Sequence, residues 1–194
     1  MKGRFMLYRI TLLALFCISL NACTTRQIGT TYGGSTEQRL ITHSIEKLMA
    51  QLPVSEFASF RQRTVLLNSH FIQRNDLLDY ADQMLRMELV RRFEVVVTDD
   101  AEQADYQLDF FFTSLGTDTD SYGLSIPIIN VSNAAESARL DVLAVDMYHG
   151  ISECLYYVRD LKEGTLKKHG KLLARIRTDE VSTPIINFPI SNID

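Results

Sequence analysis

Acidic side chains recur at short spacing in the segment Asp118–Gly123. A calcium-binding loop needs oxygen ligands at its first, third and fifth positions, a glycine at the sixth and a bidentate glutamate at the twelfth. Asp118, Asp120 and Gly123 fit this pattern, but the fifth position is Tyr122 and the twelfth is Ile129. Because the ligand that would close the site is missing, the sequence predicts a polar turn here and no metal.

A second acidic group, Asp99, Asp100, Glu102 and Asp105, lies between two apolar runs. Paired carboxylates can act as a general acid and base. Neighbouring residues of a turn point apart, however, and no apolar neighbours surround these carboxylates to shift their pKa values. We therefore predict a solvated turn.

The other reactive residues also lack partners at useful spacing. The histidines are widely separated, so we predict surface residues rather than metal ligands; they are His43, His70, His149 and His169. Cys154 has no base placed beside it and is predicted to be buried, as an unpaired cysteine packs like a small apolar residue. No nucleophile elbow, zinc-protease motif, phosphate-binding loop or Cys-x-x-Cys is present. We predict no catalytic residue, metal or cofactor.

The first 22 residues have the three parts of a secretory signal. Lys2, Arg4 and Arg9 make the start basic, and the apolar run Ile10–Leu20 follows. Leu20-Asn21-Ala22-Cys23 then resembles the lipobox of bacterial lipoproteins. The resemblance implies cleavage between Ala22 and Cys23 and attachment of fatty acyl chains, including palmitate, to Cys23. Two or three such chains would anchor the protein almost permanently, since each buried methylene contributes about 0.8 kcal/mol.

The residue after the lipobox cysteine and the charge balance bear on location and partners. Thr24 stands where an aspartate would signal retention in the inner membrane, so the resemblance implies the outer membrane. We expect the anchored protein on its periplasmic face, and Thr24 does not distinguish that face from the cell surface. Loss of the three basic residues of the signal changes the formal net charge from −4 to −7. An acidic chain without a basic stripe is a poor ligand for polyanions, so we predict no nucleic-acid partner.

Apolar periodicity predicts two helices after a short flexible tether, residues 23–34. The first helix starts at Ser35 with Gln38 as a possible capping box, and Pro53 ends its apolar pattern. The second starts at the cap Asn75. The predicted apolar face of the first helix consists of Leu40, Ile41, Ile45, Leu48, Met49 and Leu52, and that of the second of Leu77, Leu78, Ala81, Met84, Leu85, Leu89 and Val90. The other side of the second helix is predicted to be solvated, with Asp79, Asp82, Arg86 and Glu88.

The remaining apolar runs predict strands. These are Thr64–Asn68, Phe93–Thr98, Tyr106–Leu115, Leu140–Tyr148, Glu153–Arg159 and Lys171–Thr178, with a loop at Gly116–Tyr122 and a hairpin turn at His149–Ser152. Pro127 predicts an edge or a bulge between Leu124 and Val131. The order of elements predicts an α+β fold: one mixed, mostly antiparallel sheet with about two helices on one face, in a single periplasmic domain over residues 35–194.

A weaker resemblance rests on the helix containing Glu37-Gln38-Arg39-Leu40 and on Ala104-Asp105-Tyr106 at the entry to a strand. Together with the lipobox and the tether, these segments resemble small uncharacterised envelope lipoproteins of Gram-negative bacteria. The resemblance supports the fold and implies no activity.

The tail, Val181–Asp194, is rich in branched and aromatic residues and nearly free of charge, so it should be covered. Two alternatives stay open: the tail packs on its own domain as an edge strand, or it docks on a neighbouring protein.

Two functions from different classes are compatible with the sequence. The first is a membrane-anchored, non-enzymatic module that binds an envelope protein or assists assembly. The second is a small periplasmic hydrolase or peptidoglycan-modifying enzyme with an unrecognised carboxylate site. A deep pocket lined by two convergent carboxylates would favour the enzyme, whereas a flat apolar patch or an open sheet edge would favour the binding module.

Overall fold

The computed structural model describes residues 25–28, 34–72, 75–128 and 138–190. Within them the chain forms three helices and a seven-stranded mixed sheet, which confirms the predicted α+β class. The helices are α1 (Ser35–Ala50), α2 (Val54–Phe57) and α3 (Asp76–Phe93). The strands are β1 (Thr25–Ile28), β2 (Thr64–His70), β3 (Val96–Thr98), β4 (Tyr106–Ile128), β5 (Ala138–Asp160), β6 (Thr165–Ser182) and β7 (Asn187–Pro189). Two 3-10 turns lie at Ala58–Phe60 and Ala101–Gln103.

The strands follow the order β3-β2-β4-β5-β6-β7, and β1 pairs with β4. β2 is parallel to both β3 and β4, with Val65 opposite Val97 and Leu67 opposite Leu108. The chain divides into two compact units, and β4, β5 and β6 have residues in both. The larger unit comprises residues 28–118 and 148–178 and holds the helices; the smaller includes residues 119–147 and 179–192.

The hydrophobic core of the larger unit lies between the helices and one face of the sheet. The predicted apolar face of the first helix is buried. It consists of Leu40, Ile41, Ile45, Leu48 and Met49 in α1 and of Leu52, which follows the end of the helix. Leu78, Ala81, Leu85 and Leu89 of α3 are also buried, whereas Val90 is 51% exposed and thus wrongly placed in the predicted face. Across the sheet the core continues through alternate residues of β4, β5 and β6.

The helix caps agree with the prediction at one helix and differ at the other. Asn75 caps α3, since its side-chain oxygen accepts a hydrogen bond of 3.1 Å from the backbone N–H of Leu78. The N-cap of α1 is Gly34, and no side chain caps that helix, so the predicted capping box at Ser35 is wrong. Glycine is tolerated at an N-cap because it adopts the extended conformation easily.

The prediction differs from the structure at three segments. The segment 116–122 is part of β4, so there is neither a loop nor a turn at Asp118–Gly123. Thr117, Thr119 and Tyr122 have a high propensity for strands. This propensity outweighs the low strand propensity of the intervening aspartates. Phe93 ends α3 rather than starting a strand, and β3 begins at Val96. Residues Thr25–Ile28, expected to be part of a tether, form β1.

The predicted hairpin at His149–Ser152 is instead the middle of the continuous strand β5. Gly150 allows close approach of α1: a Cβ atom there would lie 2.2 Å from the backbone oxygen of Leu40. His149 is only 4% exposed, so the prediction of a surface histidine is wrong for this residue. Its Nδ1 lies 3.3 Å from the Nε of Arg175.

We expect Gly150→Ala to lower the free energy of unfolding by about 1–3 kcal/mol, because α1 must shift to accept a methyl group. Urea denaturation followed by circular dichroism measures this loss. Gly34→Ser is the control, since no atom lies within 4 Å of a Cβ at Gly34 and serine is a good N-cap. Equal stability of the two variants would contradict the close packing of β5 against α1.

In the smaller unit, three strands are joined through one carboxylate. Asp146 of β5 accepts hydrogen bonds from Ser121 of β4 and, at 3.0 Å, from Ser182 of β6. Gly123 also lies against Leu143 and Ala144 of β5, where an added Cβ would lie 2.2 Å from the backbone oxygen of Leu143.

The tail pairs with its own chain as the terminal strand of the sheet, which agrees with the first of the two alternatives. Phe188 of β7 lies opposite Val181 of β6 in an antiparallel register. The N–H of Ile190 donates to the oxygen of Asp179, so Pro189 takes the alternate position that faces outward. A proline there offers no N–H to an added strand. The side chains are less covered than expected, since Ile185 is 90% and Ile186 61% exposed.

Candidate functional site

The face of the larger unit's sheet opposite the helices is only partly covered. Successive side chains of a strand point to opposite faces. In β4, Phe110 and Phe112 belong to the core, so Asp109 and Phe111 lie on the other face, which we call the open face. In β5, Tyr156 and Val158 belong to the core, and Leu155, Tyr157 and Arg159 lie on the open face.

Four rings form a row across the open face, one each from β2, β4, β5 and β6. His70 stacks on Phe111 with ring centroids 4.5 Å apart. Phe111 meets Tyr157 edge to face at 5.7 Å, and Tyr157 stacks on His169 at 6.3 Å. Phe111 remains 41% exposed although it is a large apolar side chain. The row thus presents aromatic surface to solvent.

Beside the row, the carboxylate of Asp109 is the centre of a polar network. Its Oδ1 accepts from Asn68 Nδ2 at 3.1 Å, and its Oδ2 accepts from Gln107 Nε2 at 2.8 Å. His70 Nε2 lies 3.3 Å from Oδ1. Burial raises the pKa of Asp109, but the hydrogen bonds from Gln107, Asn68 and His70 outweigh burial and hold the pKa below its usual value. Asp109 is therefore an anion at neutral pH.

A shallow pocket of about 560 Å³ lies over this part of the open face. Its lining combines aromatic and aliphatic side chains with one acid and one base: Asp109, Phe111, Leu155, Tyr157, Arg159 and Leu166. Arg159 is exposed and has no hydrogen-bond or ion-pair partner among the described residues. A pocket of this size with apolar walls and few polar groups is typical of a binding site.

A second cavity, of about 540 Å³, lies where β2 ends beside α3. Asp82 and Asp99 line it, and both are bound to Arg86, at 2.7 Å and 3.0 Å. Ser69 donates to the other side of Asp82 at 2.7 Å. Burial lowers the pKa of Arg86, but the hydrogen bond and charge of Asp82, assisted by Asp99, outweigh it and raise the pKa.

The predicted solvated side of α3 is confirmed for Asp79, which is exposed, and wrong for the other three residues. Asp82, Arg86 and Glu88 are partly buried in ion pairs, and Glu88 binds Arg92 at 3.2 Å. Since Asp82 and Glu88 are occupied by arginines, their arrangement supports packing of α3 rather than acid–base chemistry.

The other candidate residues are not brought together. Asp99 and Asp100 are exposed as predicted, whereas Asp105 is partly covered and binds Lys162 at 2.6 Å. Cys154 is buried, as predicted, and burial raises the pKa of its thiol to about 12, so it is a poor nucleophile. Among the described residues, no group of three or more His, Cys, Asp or Glu side chains is placed to hold a metal ion. Ala22 and Cys23 lie outside the described residues.

The open face was not predicted from the sequence. The sequence does contain a signal for the open face. In Gln107–Thr113 and Glu153–Arg159, Phe111 and Tyr157 each interrupt an alternation of core and polar residues. No helix in the described part of the chain is long and apolar enough to cross a membrane.

Comparisons with known proteins give distant structural similarity only. No protein-family model matches the chain, and no curated protein does. The C-terminal domain of LpoB from Salmonella enterica is 10% identical with a TM-score of 0.34, over 74% of this chain and 98% of that one. The same domain from Escherichia coli is 10% identical with a TM-score of 0.34, over 70% and 94% of the two chains. A homolog of a neuraminyllactose-binding hemagglutinin from Helicobacter pylori is 14% identical with a TM-score of 0.33, over 61% and 66%. TM-scores of this size do not establish a common fold.

Proposed function

We propose that this protein is a lipid-anchored protein of the bacterial outer membrane, and that its exported part is a non-enzymatic module that binds another protein through the open face. The lipobox-like Leu20-Asn21-Ala22-Cys23 and the following Thr24 support the anchor and its location. The observation that carries the binding role is the exposed aromatic row with the pocket beside it.

The composition of the open face favours a protein partner. Phe111 stacks on His70 and meets Tyr157 edge to face, and it remains 41% exposed. Exposed aromatic rings beside an arginine are typical of protein interfaces, where both residue types are enriched. The formal net charge, −4 for the full sequence and −7 after loss of Lys2, Arg4 and Arg9, opposes binding to nucleic acid.

An enzymatic role has less support. Three carboxylates line the second cavity, and two of them, Asp82 and Asp99, are bound to Arg86. A general acid or base must exchange a proton with a substrate, and the oxygens of Asp82 and Asp99 already accept from a guanidinium. The third, Asp79, is exposed and has no second carboxylate free to act with it.

We expect a photoreactive benzophenone amino acid in place of Phe111 to cross-link to one discrete protein in cells, because position 111 lies at the centre of the open face. The adduct is identified by gel shift and mass spectrometry. The same amino acid at Tyr80, an exposed position on α3, is the control and should give no adduct. Tyr157→Ala should abolish the adduct at position 111. If positions 80 and 111 cross-link alike, or position 111 gives no adduct, the open face is not the binding surface.

A further inference from the structure

We propose that the protein bound at the open face is a second copy of this chain, in a two-fold symmetric pair in which Arg159 of each copy meets Asp109 of the other. This inference rests on the proposed function, because it names the partner of the same surface. Three properties of the pocket point to it: apolar walls, an unpaired guanidinium and a carboxylate with room for another donor.

The guanidinium requires an anionic group. Arg159 has no partner among the described residues, and it borders Phe111, Tyr157 and Leu155 in the pocket. Arginine in such a position is a strong ligand for a carboxylate, since its planar fork can donate two parallel hydrogen bonds.

The carboxylate of Asp109, already bound by three side chains, has room for one further donor. Three side chains, Asn68, His70 and Gln107, contact Asp109 Oδ1, whereas Oδ2 accepts from Gln107 alone. The Asp109 side chain is 13% exposed, so a long side chain from above can reach it. A carboxylate oxygen has two acceptor sites, so Oδ2 can accept from a guanidinium.

The occupant must therefore be apolar, anionic opposite Arg159 and cationic opposite Asp109. The open face itself meets all three requirements. A two-fold axis that runs between Asp109 and Arg159, parallel to the two sheets, places the arginine of each copy above the aspartate of the other. Sheets that pack face to face lie about 10 Å apart, a distance that an extended arginine can bridge.

The apolar surroundings would add to this contact. Leu166, which also lines the pocket, is 55% exposed, and Phe111 is 41% exposed. Pairing of two copies would remove these side chains from water, at roughly 25 cal/mol for each Å² of apolar surface. An acidic peptide could pair with Arg159 but would offer no cation to Asp109. A basic peptide could pair with Asp109 but would offer no anion to Arg159.

The test is sedimentation equilibrium of the full chain in density-matched detergent. We expect a dimer whose dissociation constant rises at least tenfold in Arg159→Glu, since that change sets carboxylate against carboxylate. Phe111→Ser should weaken the dimer by a similar factor. Arg159→Lys, which keeps the positive charge but not the planar fork, should give a dissociation constant between those of the wild type and Arg159→Glu. Arg91→Glu, the same charge change on the exposed surface of α3, is the control and should leave the dimer unchanged.

Circular dichroism of each variant verifies that it is folded, as Arg159 and Phe111 lie outside the core. A wild-type chain that is monomeric at all concentrations overturns the inference, and so does a dimer equally tight in Arg159→Glu. If the chain is monomeric while position 111 cross-links to a different protein, the second-copy inference fails and the proposed function stands. If the chain is monomeric and position 111 cross-links to nothing, both fail.

Discussion

Replacement of Phe57 by alanine is expected to lower the free energy of unfolding by about 3–5 kcal/mol, a large part of the 5–15 kcal/mol that is typical of a folded protein. Phe57 is completely buried. Its ring lies 5.5 Å from those of Phe93 and Tyr156, and 6.4 Å from that of Phe110. One side chain thus joins α2 to α3, β4 and β5, and its removal leaves a cavity that the surrounding rings cannot fill without moving.

Phe111→Ala is the matched control, since it removes the same side chain from the open face. We expect it to cost less than about 1 kcal/mol, because surface substitutions away from the core have small effects. Chemical denaturation of the full chain, followed by circular dichroism, measures both values. Equal losses in the two variants would show that Phe57 does not anchor the core, or that the open face is covered by its own chain.

The helices of this protein could be predicted from the sequence in some detail. Six apolar residues recur with the period of a helix and all six are buried: Leu40, Ile41, Ile45, Leu48, Met49 and Leu52. Asn75 caps α3 because its short side chain reaches the backbone N–H of Leu78, and such a signal is local. The predicted burial of Val90 is wrong, because the periodicity of apolar residues does not show where neighbouring elements stop covering a helix.

The strands were harder to predict because the conformation of their residues depends on contacts with distant parts of the chain. Gly150 resembles a turn residue, and only its contact with Leu40, far away in sequence, shows why a glycine is required. Asp146 is held in β5 by Ser121 and Ser182 of the neighbouring strands. Neither partner can be identified from the polar composition around it.

The candidate site could not be predicted for the same reason. Phe110 and Phe111 are adjacent in the sequence, so they lie on opposite faces of the strand, and apolar residues on both faces are typical of a strand that is covered on both sides. In the structure Phe110 packs toward Phe57 in the core, whereas Phe111 lies beside His70 on the open face. Which of the two faces is left open depends on where the helices pack, and that is a property of the whole fold.

The lipid anchor remains a prediction from the sequence, because residues 1–24 lie outside the described part of the chain. We expect Cys23→Ala to abolish the incorporation of labelled palmitate and to remove the protein from the outer membrane, since the sulfur that would accept the lipid is absent. The variant should accumulate as the unprocessed precursor or as a soluble periplasmic protein. Membrane fractionation with immunodetection measures its distribution.

Cys17→Ala provides the matched control, because Cys17 lies in the apolar run that cleavage would remove. It should be labelled and localised like the wild type. Thr24→Asp tests the destination separately: the lipidated protein should then remain in the inner membrane, because aspartate after the lipobox cysteine is the retention signal that the resemblance implies. Palmitate labelling and wild-type amounts of Cys23→Ala in the outer membrane would contradict the anchor, whereas an unchanged location of Thr24→Asp would contradict only the sorting. Loss of the anchor would also leave the open face intact, so cross-linking at position 111 in the soluble variant separates membrane attachment from protein binding.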